Sequence, residues 1–211
     1  MSMNSPNQLS PQHQIYADLM DEARIRIHAL HDALLAKDTW VPRLFEEFAF
    51  LQIRMLCESV ALGCLIAHGD VKTKKSLKKW RVPDLMKEME KFGSDFFPRG
   101  VRFRSVEGVL NFDEYNAPQI TKTELIKLWE MSGNKLHRGT AERILSENGK
   151  QIIVDIGKIE NWGMKIKNLL EQHIISSADN ESHLLVALAS EDSGGKCCIW
   201  LAENPFTPNI S

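Results

Sequence analysis

Apolar residues recur every three or four positions through five stretches of the chain, which is the spacing of amphipathic helices. The predicted helices cover residues 15–36, 40–68, 82–92, 121–136 and 151–176. The second is apolar on nearly all sides in its middle, so we expect neighbours to cover it on several sides. The fourth begins with Thr121 and has Glu124 three residues later, which predicts a reciprocal capping box.

The pattern changes near the end of the chain, where two β-branched and aliphatic runs occupy residues 183–189 and 196–202. The turn-forming sequence Asp192-Ser193-Gly194-Gly195 joins them, which predicts a β-hairpin. An isolated hairpin is only marginally stable, so we expect it to dock on the helices, another hairpin or a second chain. Residues 93–118 carry several prolines and glycines and are interpreted as a long surface excursion.

These patterns predict a mainly α fold, an up-and-down bundle of four or five helices with a C-terminal β-hairpin. The expected organisation is a disordered N-terminal segment (1–14), a helical domain (15–176) and a hairpin appendage (180–204). The 211 residues are enough for one such domain with a substantial core.

Composition excludes several classes of protein. The net charge of −2 gives no general attraction to nucleic acid, so any such binding needs a local patch. Arg54 and Glu58 interrupt the longest apolar run, and residues 1–14 lack the apolar core of a secretory signal. We therefore expect a cytoplasmic protein with no membrane segment. No phosphate loop, dinucleotide motif, metal-ligand cluster or DNA-specific motif is found, so no cofactor or metal is predicted.

One local basic patch lies between the second and third predicted helices. Residues 72–81 contain five lysines and one arginine. The functional interpretation is a surface that contacts RNA phosphates. Its candidate residues are Lys74, Lys75, Lys78 and Lys79. The alternative is a solvated helix entrance, that is, a charged start of the third helix that faces water. The acidic residues that directly follow the patch favour this alternative.

Two polar motifs stand out in the helical sequence. Arg54 and Glu58 lie one turn apart in the second helix, and Asn134, His137 and Arg138 lie at the end of the fourth. An imidazole can move the proton of a ribose 2′-hydroxyl while a guanidinium stabilises the charged phosphate, so these five residues are candidate catalytic residues. The alternative is structural, with Arg54 and Glu58 as an internal ion pair and the others as helix caps.

A helix with R-x-x-x-E, followed after an insertion by a helix that ends in G-N-x-x-H, resembles the uncharacterised bacterial branch of the HEPN superfamily. The likeness covers residues 15–175 and implies a small α-helical domain. Active members are metal-independent endoribonucleases, commonly homodimers, and occur in toxin–antitoxin and other defence systems. The resemblance therefore implies RNA as substrate, a homodimer, and an antitoxin or other protein as partner, in a defence or stress response.

The same resemblance implies that His137 is the catalytic histidine and Asn134 the polar residue of the motif. The family places an arginine a few residues before the histidine, whereas here Arg138 follows it. Either Arg54 supplies the guanidinium, or the chain is one of the inactive relatives that serve as nucleotide-binding or interaction modules. In that second case the polar cluster only fixes helix packing, and the hairpin recruits a partner by strand addition.

Overall fold

The computed structural model describes residues 10–68, 78–92, 96–106, 109–137, 153–176, 182–189 and 194–203. These residues form five α-helices and five β-strands, so the prediction of a mainly helical fold is confirmed. The helices are α1 (Pro11–Leu35), α2 (Pro42–Ala67), α3 (Val82–Met89), α4 (Lys122–Leu136) and α5 (Ile156–Leu170). The strands are β1 (Arg99–Val106), β2 (Val109–Glu114), β3 (Gln172–Ser176), β4 (Ser182–Ala187) and β5 (Cys198–Glu203).

Local capping determines where two of these helices begin. The Thr121 hydroxyl accepts the backbone N–H of Glu124 at 3.2 Å, and the Glu124 carboxylate accepts that of Thr121 at 3.0 Å. The predicted capping box of α4 is thus confirmed. α1 starts earlier than predicted, because Ser10 caps it and Pro11 suits a first helical position. The predicted disordered segment (1–14) was therefore too long, and residues 1–9 lie outside the described part.

A five-stranded antiparallel sheet, in the order β2-β1-β3-β4-β5, accompanies the helices. The pairing of β4 with β5 agrees with the predicted hairpin. These two strands are part of a larger sheet, however, and the predicted appendage was incomplete. Leu184, Val186 and Ile199 from its strands belong to the same core cluster as the helices.

Two predictions for the remaining strands were wrong. The supposed surface excursion contains β1 and β2, whose short alternating pattern is obscured by Pro98 and Gly100. The supposed last helix ends at Leu170, and β3 follows at Gln172. Apolar residues continue across that junction without glycine or proline, so their periodicity does not mark the change from helix to strand.

The core is centred on α2, which packs against α1, α3, α4 and α5. By length and mean hydropathy α2 is also apolar enough to cross a membrane, although Arg54 and Glu58 lie within it. In this fold 67% of its most apolar window is buried. That burial is typical of the core helix of a globular domain.

A buried polar pair links α1 to β3. The Tyr16 hydroxyl lies 2.7 Å from Nε2 of His173, and His173 Nδ1 lies 2.9 Å from the carbonyl oxygen of Leu170. A carbonyl only accepts, so Nδ1 carries the proton and Nε2 accepts the tyrosine O–H. Both rings are fully buried. With these two hydrogen bonds, both ring nitrogens of the neutral histidine have a partner.

This pair predicts a loss of stability in acid. Burial lowers the pKa of His173 from 6.5 to about 4. Between these values the unfolded chain binds a proton at this position and the folded chain does not. The free energy of unfolding should therefore fall by about 3 kcal/mol as the pH drops from 6.5 to 4, from this group alone. Urea unfolding at a series of pH values measures this fall.

The test variant is His173→Asn. The control is His28→Asn, which removes an exposed histidine on α1. His173→Asn should lose this part of the pH dependence, whereas His28→Asn should retain it. Burial also lowers the pKa of His68 and of His13. Because wild type and both variants keep these two histidines, their contribution to the pH dependence is the same in all three proteins. An unchanged slope in His173→Asn would contradict the assignment.

Candidate functional site

The predicted ion pair of Arg54 and Glu58 forms on α2. Arg54 Nε lies 3.2 Å from Glu58 Oε1, and the side chains are 20% and 18% exposed. Trp129 of α4 joins them, because its indole N–H donates to Glu58 Oε1 at 2.8 Å. Its ring centroid lies 4.3 Å from the Arg54 guanidinium carbon. The carboxylate thus has two partners, and the guanidinium is held by both a charge and an aromatic face.

Gly133 allows α4 to approach this pair closely. A Cβ atom at position 133 would lie 2.5 Å from Nη1 of Arg54, which is closer than real contacts permit. The same nitrogen donates a long hydrogen bond of 3.4 Å to the carbonyl oxygen of Trp129. A side chain at position 133 would therefore displace the Arg54 guanidinium from its contacts with Glu58 and Trp129.

Asn134 and His137 do not join this network. Both side chains are exposed, and neither has a polar partner within the described ranges. His137 is the C-cap of α4, where its backbone N–H donates to the Gly133 carbonyl at 3.2 Å and its ψ of 136° leaves the helix. Its side chain therefore projects at the helix end, one turn beyond the glycine that contacts Arg54. Arg138 lies outside the described residues.

The basic patch is only partly described. Lys74 and Lys75 lie outside the described residues, whereas Lys78 is exposed. The ammonium of Lys79 forms an ion pair with Glu88, whose carboxylate also accepts from Lys91 at 3.1 Å. These two lysines lower the pKa of the Glu88 carboxyl. One of the two described lysines is thus neutralised, in agreement with the interpretation of a solvated helix entrance.

Sequence reasoning missed the two tryptophans at this site. Trp80 is 59% exposed, and its ring lies edge-on to Trp129 with 6.1 Å between centroids. Trp80 follows Lys78 and Lys79 directly, an interleaving of aromatic and basic residues that could have indicated it. Trp129 lies one turn before Gly133 on the helix that carries the second motif, but no pattern within either helix indicates its contact with Arg54.

Within the described ranges, no three His, Cys, Asp or Glu side chains are grouped so that they could hold a metal ion. His28 and His31 are exposed on α1.

No protein-family model, no curated protein and no solved structure matches this chain. The resemblance to the HEPN superfamily therefore rests on the residues of the two motifs alone.

Proposed function

We propose that the protein binds single-stranded RNA at the end of α4 and cleaves it without a metal ion. The observation that carries this proposal is the placement of His137 and Asn134. Both are exposed and have no polar partner among the described residues, although the adjacent Arg54 and Glu58 are paired. Neither side chain contributes a hydrogen bond to the packing of α4 on α2, so both are free to reach a ligand.

The chemistry needs only groups of this chain and the RNA. The His137 imidazole accepts the proton of a 2′-hydroxyl, and the 2′-oxygen forms a bond to phosphorus. The bond from phosphorus to the 5′-oxygen breaks, and that oxygen takes a proton from water. The products are a 2′,3′-cyclic phosphate and a 5′-hydroxyl. Arg54 uses Nε and Nη1 toward Glu58 and Trp129, which leaves Nη2 for a phosphate oxygen.

Trp80 supports a nucleic acid as ligand. Its exposed ring lies beside the ring of Trp129, whose other neighbour is the Arg54 guanidinium. An exposed indole next to the exposed Lys78 is suited to stacking an unpaired base while the ammonium contacts the backbone. This arrangement suits a single strand, since the bases of a duplex are already stacked.

The test is incubation of the purified chain with a mixed pool of cellular RNA in EDTA, with cyclic-phosphate ends as the readout. We expect new 2′,3′-cyclic phosphates to accumulate with time. A folded protein that produces none would contradict the catalytic part of the proposal.

We propose further that the protein is a homodimer, in which a second copy covers the outer face of α2. Apolar residues on this face repeat at alternating intervals of three and four, the spacing of a helix pair that packs along one seam. They are Val41, Leu44, Phe48, Leu51 and Met55. Leu44 is 55% and Leu51 43% exposed. The flanking Arg43 and Glu47 pair at 2.6 Å, so two such faces would not repel each other.

The dimer predicts a strong effect of one charge at the seam. Leu51→Glu should weaken self-association by about 100-fold or more, because the carboxylate would be buried without a partner. The matched control is Phe112→Glu, since Phe112 is 44% exposed but lies on β2. Sedimentation equilibrium of the three proteins measures this. A monomeric wild type, or a Leu51→Glu variant that still dimerises, would contradict the proposal.

The competing function is a non-catalytic interaction module. It is favoured by the neutralisation of Arg54 by Glu58 and of Lys79 by Glu88, which reduces the positive charge available to a phosphate. On that alternative the network only holds α2 against α4. Absence of cleavage in EDTA, together with RNA binding that does not change in Trp80→Ala, would favour it.

A further inference from the structure

A groove runs between α1 and α5, on helices other than the one that carries His137. It consists of two adjoining depressions with volumes of about 380 and 460 Å³. Both depressions are lined by Ile27, His31 and Lys167, so they form one continuous trough. From Arg24 at one end to Leu34 near the other, the groove follows α1 for about 15 Å, at 1.5 Å per residue.

One half of this groove is apolar and aliphatic. Its lining includes Leu30, Leu34, Ile156 and Met164, together with the charged Lys37 and Glu160, and no Phe, Tyr or Trp side chain lines either depression. Such a surface suits a flexible hydrocarbon chain.

The other half has an excess of positive charge. Glu171 shares one carboxylate between Arg102, at 2.8 Å, and Lys167, at 3.7 Å. Arg24 is paired with Asp21 at 3.2 Å. Three cations thus face two carboxylates, and the longer of the two Glu171 contacts leaves Lys167 the least satisfied. The exposed His28 and His31 add ring N–H groups that can donate to an oxyanion.

We propose that this groove binds a long-chain aliphatic carboxylic acid, with its tail on the apolar half and its carboxylate at Lys167. The position of Lys167 carries the assignment, because its side chain lies where the aliphatic half meets the cationic half. The excess of positive charge favours an anionic head group, and the aliphatic side chains favour a hydrocarbon tail. The site is independent of the function proposed for His137.

The experiment is isothermal titration of the full chain with dodecanoate, dodecanol and acetate. Dodecanoate should bind, dodecanol should bind more weakly because it lacks the charge, and acetate should not bind detectably because it lacks the tail. Lys167→Gln should weaken dodecanoate binding by about three- to tenfold, the effect of one partly exposed charged contact. Lys158→Gln, an exposed lysine on the same helix, should leave the affinity unchanged.

A second pair of variants tests the tail. Met164→Glu should weaken binding by about tenfold or more, because it replaces an aliphatic contact of the tail by a second carboxylate beside Glu160. Ile25→Glu, at a position of similar exposure outside the groove, should leave binding unchanged. Both positions are more than half exposed, so neither variant should unfold the protein.

Three results would overturn the proposal. They are no binding of dodecanoate to the wild type, equal affinities for dodecanoate and dodecanol, and equal effects of Lys167→Gln and Lys158→Gln. Co-sedimentation with phosphatidylglycerol vesicles that is lost in Lys167→Gln would also overturn it, since the cationic half would then contact a membrane surface. None of these results depends on whether the protein cleaves RNA.

Discussion

Replacement of His137 by alanine is expected to lower the rate of RNA cleavage in EDTA by about 10²- to 10⁴-fold, the usual contribution of a positioned general acid or base. The imidazole is the group that removes the 2′-hydroxyl proton, and no other group at the end of α4 replaces it among the described residues. The measurement is the initial rate of cyclic-phosphate formation for wild type and variant at equal protein concentration.

The exposure of His137 makes this result easy to interpret. A surface substitution away from packing contacts changes the free energy of unfolding by less than about 0.5 kcal/mol, so a lost activity would not reflect a lost fold. His28→Ala is the matched control, because it removes another exposed histidine that lies on α1. Equal cleavage by wild type, His137→Ala and His28→Ala would show that the activity does not come from this site.

Replacement of Trp129 by alanine is expected to lower the free energy of unfolding by about 3–5 kcal/mol. The substitution removes a large side chain that is 6% exposed. It also removes the N–H donor to Glu58 and the aromatic face under Arg54. The cavity and the lost hydrogen bond to the Glu58 carboxylate, which keeps Arg54 as its partner, act in the same direction. Chemical denaturation with tryptophan-independent detection, such as circular dichroism, measures it.

Two further tryptophan variants separate the causes. Trp129→Phe keeps most of the packing and removes only the N–H donor, so we expect a smaller loss of about 1–3 kcal/mol. Trp80→Ala removes the neighbouring ring, which is 59% exposed, and should cost less than about 1 kcal/mol. If Trp80→Ala were as destabilising as Trp129→Ala, the stability would not come from the contact with Arg54 and Glu58.

The helices of this fold could be predicted from the sequence because each obeys a local rule. Apolar spacing located all five, and the capping box fixed the start of α4. β1 and β2 pair locally and were missed because their alternating pattern is short and lies among prolines and glycines. β3 was missed because apolar residues continue into it from α5, and its pairing with β1 is set across the chain. β1 pairs with β3 through residues such as Arg99 and Ile174, and nothing in either segment indicates the other.

For the candidate site, contacts within one helix could be predicted from the sequence, whereas contacts between helices could not. The pair of Arg54 and Glu58 follows from helical spacing alone, and it is present. Its third member, Trp129, depends on how α4 lies against α2, which the sequence of neither helix determines. The role of Gly133 is likewise visible only when both helices are in place, because the atom it accommodates belongs to Arg54.

The long-range pairing of β1 with β3 has a consequence for folding during synthesis. α1 and α2 are adjacent in the chain and can pack as soon as both have left the ribosome, whereas β1 cannot pair with β3 before residue 176 emerges. Until α3, α4 and α5 have emerged in turn, the most apolar helix of the protein lacks their cover. The nascent chain therefore presents a helix that resembles a membrane span, and we expect it to need a chaperone at that stage of translation.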